Sequence, residues 1–449
     1  MAAPVLGIRL LLGLWLTILA GCAANGPLSR LARQPSPYEQ YIDSLQQSGL
    51  EQTALGQDWL RAGDAALARP IPASLPFRET GYFAPDTPTA TAWRVEVRRG
   101  RTLAIEVSFE TAVPGRLFVD VFRTTPEATL QRVTSLPLDT HTLTLLADHD
   151  TTYVVRVQPE LLRGGRYTLV ERTTSSLRFP VSGLTARAVQ SLFGATRDAG
   201  TREHEGVDIF APRGTPVVAV VDGVAQPATN GLGGNVVWLT PNTRNGTYYY
   251  AHLERWAFDD SRPVRAGDVV GYVGNTGNAR STAPHLHFGV YAGGAIDPWP
   301  FLQPDDERPP EPRGDLTSLG QLVRVVPRTT PLRAGPDAPL AAGAGLARGS
   351  VARVVGAAGS SFRVVLPDDR TGYVAATAVT PAAAALRRER VAPGATVRER
   401  PTDGAPVVTV VEVPIVADVL GHYDGFMLVR VPDGPSGWVR SAAADRTSS

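Results

Sequence analysis

The sequence predicts a mainly β protein built from several domains. Its 449 residues exceed what one ordinary hydrophobic core organises, so about two to four domains are expected. Apolar and polar side chains alternate along residues 80–175, which is the period of a half-buried strand. Two similar strand-rich segments, 323–380 and 391–444, follow near the C-terminus. These three observations predict β-rich units joined by short connections.

The composition is that of a folded protein without a strong net charge. Hydrophobic residues make up 43% and charged residues 19% of the chain, and both values are typical of globular proteins. The formal net charge is +1, whereas a nucleic-acid-binding protein normally carries a strong basic excess. Nucleic acid is therefore not expected as a partner.

Residues 1–21 are typical of a secretory signal. Arg9 precedes an apolar run at 10–20, which is shorter than the about 20 apolar residues that a membrane-spanning helix needs. The sequence Leu-Ala-Gly-Cys at 19–22 then resembles the bacterial lipobox. This resemblance implies a lipid on Cys22, which would become the mature N-terminus and anchor the chain to a membrane. The alternative is an ordinary signal followed by a chance cysteine.

The residues after Cys22 bear on the compartment. Ala23 and Ala24 follow it, and no aspartate is present there to suggest retention at the inner membrane. In a Gram-negative host, the resemblance therefore implies an exported lipoprotein, anchored to the outer membrane and facing the periplasm. Because Cys22 is the single cysteine, the mature chain cannot form an intramolecular disulfide in an oxidising compartment.

Residues 22–75 predict a tether followed by two short helices. Apolar residues recur at helical spacing between Tyr38 and Leu67. Ser48 and Gly49 interrupt the pattern, and Pro70 and Pro72 end it. We expect these helices to pack against the domain that follows.

Residues 76–178 predict a β-sandwich, since short strands recur between turn residues. His141 and His149 flank one of these strands and are expected to be surface residues, not metal ligands. The predicted strands lie at 93–97, 103–107, 117–122, 142–146, 153–157 and 167–170.

The C-terminal third begins with an exposed linker at 303–318, which is rich in proline and charged residues. Two units follow, at 319–382 and 388–446, and each ends on a glycine, an aromatic residue and a valine (372–374 and 437–439). This repeat resembles the bacterial SH3-like module and implies two small barrels that bind cell-wall peptide or glycan. The alternatives are a structural spacer or an intramolecular lid. His422 is expected in a solvent-facing loop of the second unit.

The central region carries the residues with metal chemistry. The sequences HEGVD at 204–208 and PHLHF at 284–288 supply three candidate ligands, His204, Asp208 and His287. Three protein ligands and a water are the arrangement of catalytic zinc, whereas structural zinc usually has four protein ligands. A lone His-x-His or His-x-x-x-Asp pattern is usually not a metal site. The joint occurrence of the two motifs carries the prediction.

Strand periodicity predicts how these side chains converge. Two-residue spacing places His285 and His287 on one face, with Leu286 and Phe288 turned into the core. The same rule predicts that His252 shares a face with Tyr248 and Tyr250.

The region around His204 is expected to be a strand and not a helix, because Gly206 and Val207 favour extended backbone. This differs from the helical His-Glu-x-x-His zinc site, so Glu205 is not expected to be a general base.

Residues 179–302 resemble the LytM/lysostaphin-type zinc metallopeptidases, which cut peptidoglycan peptides. The resemblance implies an antiparallel β metallopeptidase domain with a groove over the metal. The segments that carry it are FPV at 179–181, REHEGVD at 202–208, GTPV at 214–217, GNVV at 234–237, YAHL at 250–253, VRAGD at 264–268, GNTG at 274–277 and PHLHF at 284–288.

The resemblance also implies roles for five residues. His204, Asp208 and His287 match the ligands of one Zn²⁺ per domain. His252 and His285 match the two further histidines that orient or deprotonate the water and stabilise the oxyanion, and either can be the base. The chain departs from the pattern at none of these positions.

The implied function is a zinc-dependent endopeptidase that cuts peptidoglycan stem peptides or cross-links. Because some relatives have lost ligands, the alternatives are a non-catalytic activator or a wall-binding regulator of another hydrolase. The sequence identifies no particular divisome protein or wall hydrolase as a partner.

Overall fold

The computed structural model describes residues 34–197, 200–339, 345–432 and 434–441. Cys22 and the predicted signal segment lie outside the described residues. Within the described ranges, no helix is both long and apolar enough to cross a membrane. The fold is mainly β, with 47% strand and 12% helix, as the sequence predicts.

The two predicted N-terminal helices are present as α1 (Pro37–Gln47) and α2 (Ala54–Ala68). Ser36 begins α1 with a capping box, in which its hydroxyl accepts from the Glu39 amide at 3.1 Å. Trp59 of α2 is buried, stacks on Tyr38 and donates its indole N–H to the Pro159 carbonyl at 2.8 Å. These contacts fix the helices to the sheets that follow.

Two sheets follow the helices and share one hydrophobic core. Trp93 and Val155 from one sheet pack with Leu103 and Leu169 from the other. All six predicted strands are present. The strands are β1 (Ile71–Pro72), β2 (Phe77–Phe83), β3 (Thr91–Val97), β4 (Arg101–Glu110), β5 (Leu117–Thr124), β6 (Leu130–Ser135), β7 (Thr142–Leu146), β8 (Thr151–Pro159) and β9 (Gly165–Ser175).

Strands β1, β2 and β6 were not predicted from the sequence. In β2 the reason is chemical, because Glu79, Thr80 and Gly81 interrupt any apolar pattern, yet all three are buried. The first sheet has the order β1-β3-β8-β5-β6. His141 and His149 are exposed, as predicted.

The central region forms a ten-stranded sheet whose main path is β10-β13-β20-β17-β16-β15-β18. Its neighbouring strands pair antiparallel, as predicted, and a separate two-stranded sheet joins β11 and β12. The strands are β10 (Val189–Ser191), β11 (Thr196–Arg197), β12 (Arg202–Glu203), β13 (Val207–Phe210), β14 (Pro216–Val218), β15 (Gly223–Asn230), β16 (Gly234–Pro241), β17 (Thr247–Trp256), β18 (Arg262–Val264), β19 (Val269–Val273), β20 (His285–Tyr291) and β21 (Ala295–Ile296), followed by the helix α3 (Trp299–Leu302).

The predicted linker is largely exposed, but it is fixed to the N-terminal sheets. The Arg101 guanidinium, which is 4% exposed, donates to the carbonyls of Gln303 at 2.8 Å and Pro304 at 2.9 Å. The Asp306 carboxylate accepts from the Thr173 amide at 2.6 Å. The chain therefore leaves the central sheet along a fixed path.

The C-terminal third contains further short strands, and its two repeats share a hydrophobic core that includes Val354 and Trp438. The strands are β22 (Leu322–Val325), β23 (Thr329–Pro331), β24 (Gly345–Ala347), β25 (Val351–Ala358), β26 (Ser361–Val365), β27 (Thr371–Ala375), β28 (Val379–Pro381), β29 (Arg387–Val391), β30 (Thr396–Arg398), β31 (Val407–Val410), β32 (Ile415–Tyr423), β33 (Phe426–Arg430) and β34 (Ser436–Arg440).

The prediction for His422 was wrong. It lies in β32, is partly buried, and its Nε2 lies 3.0 Å from the Arg387 guanidinium. The turn of this repeat follows Tyr423, where Asp424 and Gly425 take the left-handed conformation.

The first repeat is joined to the N-terminal sheets, because β25 pairs with β2 and extends one sheet across both regions. A buried ion pair reinforces this junction. Arg363 of β26 donates to the Glu79 carboxylate at 3.1 Å, and the hydroxyls of Tyr167 and Tyr373 also donate to it, at 2.7 and 2.5 Å. We call these four side chains the junction network.

Candidate metal centre

Three neighbouring strands of the central sheet bring the site together. Asp208 on β13 lies directly opposite His287 on β20, and His287 lies opposite Ala251 on β17. The predicted alternation on β20 is confirmed, since Leu286 and Phe288 are fully buried in the hydrophobic core. The two histidine side chains of that strand therefore point to the opposite face of the sheet.

His204, Asp208 and His287 form a tight cluster of donor atoms. The His204 Nε2 atom lies 3.0 Å from Asp208 Oδ1 and 2.9 Å from His287 Nδ1, and the last two atoms are 3.1 Å apart. Ligands about 2.0–2.1 Å from a tetrahedral zinc ion lie roughly 3.3–3.5 Å from one another. The cluster is slightly tighter than that arrangement, and its two imidazoles and one carboxylate are ligands that zinc accepts.

Backbone carbonyls orient three of the site histidines. The Nδ1 atoms of His204, His252 and His285 lie 2.9, 2.9 and 2.8 Å from the carbonyl oxygens of Leu192, Thr276 and Ala283. A carbonyl only accepts, so each Nδ1 carries a proton, and in the neutral form of the ring the lone pair is on Nε2. Hydrogen bonds of this kind fix the tautomer and the orientation of metal-binding histidines.

His252 joins this group by a route that strand periodicity did not predict. The prediction that it shares a face with Tyr248 and Tyr250 was wrong, since both tyrosines point into the hydrophobic core. The pairing of β17 with β16 shifts register between Asn235 and Val237, and His252 has a φ of 63°. This bulge turns its side chain to the metal-site face.

The two further histidines lie beside the donor cluster. The His252 ring centroid is 5.0 Å from that of His285 and 5.9 Å from that of His287. His285 Nε2 lies 4.0 Å from Asp208 Oδ1. The structure thus brings together all five predicted site residues, with three in the donor cluster and two at its edge.

Burial and mutual contacts set the protonation of the site. Burial, followed by the nearby rings of His285 and His287, lowers the pKa of His252 to about 4. Burial also lowers the pKa of His287. Burial alone would raise the pKa of Asp208, but its contacts with the imidazoles of His204 and His287 outweigh burial and hold that pKa well below its usual range. An ionised carboxylate beside neutral imidazoles is the protonation state that metal binding requires.

Arg197 is a site residue that the sequence analysis missed. It donates through Nη2 to Asp208 Oδ2 at 2.7 Å and to the Ser191 hydroxyl at 2.5 Å. Asp208 therefore presents one oxygen to the histidines and holds the other against a guanidinium. The sequence indicates such a residue only indirectly, because a ligating carboxylate usually needs a hydrogen-bond partner for its second oxygen.

Close packing against His287 explains why a glycine, Gly206, stands within the HEGVD sequence. A Cβ at this position would lie 2.6 Å from Cε1 and 2.7 Å from Nε2 of His287, which is too close for any side chain. Glu205, next to it, is exposed and approaches Tyr291 instead of the donor cluster. This position agrees with the prediction that Glu205 is not the general base.

An antiparallel sheet with a cluster of His, Asp and His at its surface defines a candidate metallopeptidase domain, and comparison with known families agrees. Residues 202–298 match Peptidase family M23. This segment of the chain is therefore similar to the peptidase M23 domains of the LytM/lysostaphin type.

Three relatives of this segment are named as endopeptidases. Glycyl-glycine endopeptidase ALE-1 of Staphylococcus capitis is 41% identical over 107 residues, which cover 22% of this chain and 29% of that protein. L-Ala--D-Glu endopeptidase of Bacillus subtilis is 34% identical over 139 residues, covering 28% of this chain and 42% of that protein. Peptidoglycan DD-endopeptidase ShyC of Vibrio cholerae is 35% identical over 120 residues, covering 25% and 27%. Each match spans less than half of the relative's own length.

Proposed function

We propose that the protein is a zinc-dependent endopeptidase that hydrolyses peptide bonds in bacterial peptidoglycan stem peptides or cross-links. The observation that carries the proposal is the donor cluster of His204, Asp208 and His287, with two more oriented histidines at its edge. Its relatives are endopeptidases named for three different bonds, so the bond cut is left to experiment.

The three clustered residues fit one zinc ion. His204 would ligate through Nε2, His287 through Nδ1 and Asp208 through Oδ1, since these are the atoms that converge. Three protein ligands leave a position for water. When bound, zinc would supply a Lewis acid and would lower the pKa of the bound water.

His252 and His285 would handle the proton. Each ring holds its Nδ1 proton against a backbone carbonyl, so Nε2 is free to accept a proton from the attacking water or to return it to the leaving amine. A protonated Nε2 would also stabilise the developing oxyanion. Both residues are proposed as catalytic, and separate variants distinguish the base.

The other regions support a role at the cell wall. We infer that Cys22 carries a lipid after export, with the chain facing the periplasm from the outer membrane in a Gram-negative host. We also infer that the two N-terminal sheets form a β-sandwich and that the repeats are SH3-like barrels that bind peptidoglycan. The second repeat exposes Val407, Val410 and Val413, and exposed apolar patches often mark interaction sites.

Digestion of isolated cell-wall sacculi tests the proposed function. The chain from residue 23 onward, supplied with zinc, should release new muropeptides that mass spectrometry identifies, and His287→Ala should release none. His141→Ala, which changes an exposed histidine outside the site, should digest normally. If the active-site variant and the unaltered protein give the same products, the protein is not the enzyme, and a non-catalytic activator or wall-binding regulator is favoured.

Two smaller experiments test the wall association. Cys22→Ser should move the protein from the membrane fraction to the soluble fraction, and an unchanged distribution would contradict lipid anchoring. Val410→Asp should reduce pelleting with sacculi, and unchanged pelleting would contradict a binding role for that surface.

A further inference from the structure

A cleft separates the peptidase domain from the two N-terminal sheets. Its volume is about 880 Å³, which lies within the usual range for ligand sites. Arg123 and Tyr153 of the N-terminal sheets line one wall, and Arg244 and Tyr291 of the peptidase domain line the other. A ligand in this cleft would contact both regions at once.

The cleft carries an excess of positive charge. Arg99, Arg123 and Arg244 line it, and Asp148 is the one carboxylate among its described lining residues. Asp148 is largely exposed, and its Oδ1 lies 2.6 Å from Nδ1 of His149. The cleft therefore suits an anionic ligand, and guanidinium groups match planar carboxylates through paired hydrogen bonds.

Arg244 is short of hydrogen-bond partners in the described structure. Its guanidinium meets the Tyr248 hydroxyl, but its Nη1 atom is buried and has no hydrogen-bond partner among the described residues. A buried donor without a partner costs free energy, and most such groups in native proteins are satisfied. A carboxylate in the cleft would satisfy it.

The cleft lies near the metal site, because both are built on strand β20. Tyr291 lines the cleft and lies on β20 four residues beyond His287, which is about 13 Å along an extended strand. The Tyr249 ring bridges the interval, with its centroid 6.0 Å from that of His287 and 6.2 Å from that of Tyr291. An extended peptide cut at the metal site could reach the cleft within a few residues.

We propose that this cleft binds a carboxylate-bearing peptide segment of the substrate, about 13 Å from the donor cluster along β20. The inference rests on the proposed function for the identity of the substrate. The arginines recognise the carboxylate, while Leu145 and Phe301 offer apolar contact to the rest of the segment. The N-terminal sheets thereby contribute to substrate selection by the peptidase domain.

Binding of a soluble muropeptide tests this site. The probe is a disaccharide tetrapeptide, compared with the same molecule after amidation of its carboxyl groups, and calorimetry gives the dissociation constant. The protein is the zinc-loaded full chain carrying His285→Ala, so that the probe is not consumed. We expect Arg244→Gln to weaken binding of the acidic probe about tenfold. Arg123→Gln, on the opposite wall, should weaken it by a similar factor.

The controls separate a charge effect from misfolding. Arg94→Gln removes an exposed arginine outside the cleft and should leave binding unchanged. All variants should keep the thermal midpoint of the parent, and the two cleft variants should bind the amidated probe as the parent does. Binding of the acidic probe should weaken as salt is raised, since screening acts on exposed charges.

Two results would overturn the inference. One is equal affinity for the acidic and amidated probes, and the other is displacement of the acidic probe by inorganic phosphate at equal concentration, which would show a general anion site. Failure of the proposed function is distinct, because it would appear as absent hydrolysis of sacculi while the charge dependence of binding remained.

Discussion

The metal site and the junction network both bury polar side chains, but they satisfy them in opposite ways. In the junction network the Glu79 carboxylate receives hydrogen bonds from Arg363, Tyr167 and Tyr373, so its charge is compensated by its neighbours. In the metal site Nε2 of His204 and Nδ1 of His287 lie 2.9 Å apart, beside a carboxylate oxygen. The network is complete without a further group, whereas the donor cluster could hold a metal ion.

This difference predicts which residues contribute to stability and which contribute to the chemistry of the site. Removing a member of a complete buried network leaves a charge without a partner, so stability falls. Removing a member of the donor cluster leaves the fold and abolishes the chemistry. The following predictions test that division, beginning with the largest effect on free energy.

Glu79→Ala should lower the free energy of unfolding by about 3–5 kcal/mol, because the Arg363 guanidinium would be buried without its carboxylate. Urea denaturation measures the loss, and Glu96→Ala, an exposed glutamate on β3, is the matched control. Glu79→Gln, which keeps an acceptor, should lose less. A loss below about 1 kcal/mol in Glu79→Ala would mean that the network is not a structural element.

His285→Ala should lower turnover about 10²-fold or more while zinc stays bound, because His285 handles a proton and is not one of the three ligands. Peptide hydrolysis and zinc content are measured on the same preparation, with His141→Ala as the control. Loss of zinc from His285→Ala would contradict the division between ligands and catalytic residues.

Arg197→Met should weaken zinc binding about 10–100-fold, because the guanidinium holds the second oxygen of Asp208 in place. Competition with a chelator gives the affinity, and the thermal midpoint of the metal-free protein should stay unchanged. Arg197→Lys should restore part of the affinity. An unchanged zinc affinity in Arg197→Met would show that Arg197 does not support zinc binding.

The prediction for Glu171 concerns the dependence of stability on pH. Burial, followed by the charge of Glu79, raises its pKa from 4.5 to about 8, and neither carboxyl oxygen has a hydrogen-bond partner within the described residues. Between pH 4.5 and about 8, Glu171 therefore holds its proton in the folded state and loses it in the unfolded chain. The contribution of Glu171 to stability is therefore full below pH 4.5 and is lost as the pH rises towards 8.

Glu171→Gln should remove this dependence and be more stable than the parent protein at pH 8 by at least about 1 kcal/mol. Urea denaturation of the two proteins at matched pH values measures the difference, and groups common to both cancel. Identical pH dependence in the parent and the variant would contradict a protonated Glu171.

The sequence predicted the donor cluster from the joint occurrence of two motifs, and strand periodicity predicted how its side chains converge. His285 and His287 alternate with core residues, and β13 pairs beside β20 so that Asp208 meets His287. Strand alternation did not predict the direction of the His252 side chain, because a bulge turns it to the other face. A positive φ at a residue other than glycine cannot be recognised from the sequence. The place of His252 at the site was nevertheless implied by the resemblance to the LytM/lysostaphin-type peptidases.

Other features depended on contacts that no local pattern shows. Backbone carbonyls orient three histidines, and only the folded chain shows which carbonyl lies beside which histidine. Strand β2 was missed because Glu79 is polar, and its partner Arg363 lies far along the sequence. The sequence suggested separate repeats, whereas the pairing of β2 with β25 joins the first of them to the N-terminal sheets.

Elemental analysis of the purified protein tests the central claim most directly. We expect one zinc ion per chain and loss of that zinc in Asp208→Ala. Asp259→Ala, which alters an exposed aspartate in the same domain, should have normal zinc content. Absence of zinc after reconstitution with a zinc salt, or zinc content that Asp208→Ala does not lower, would contradict it.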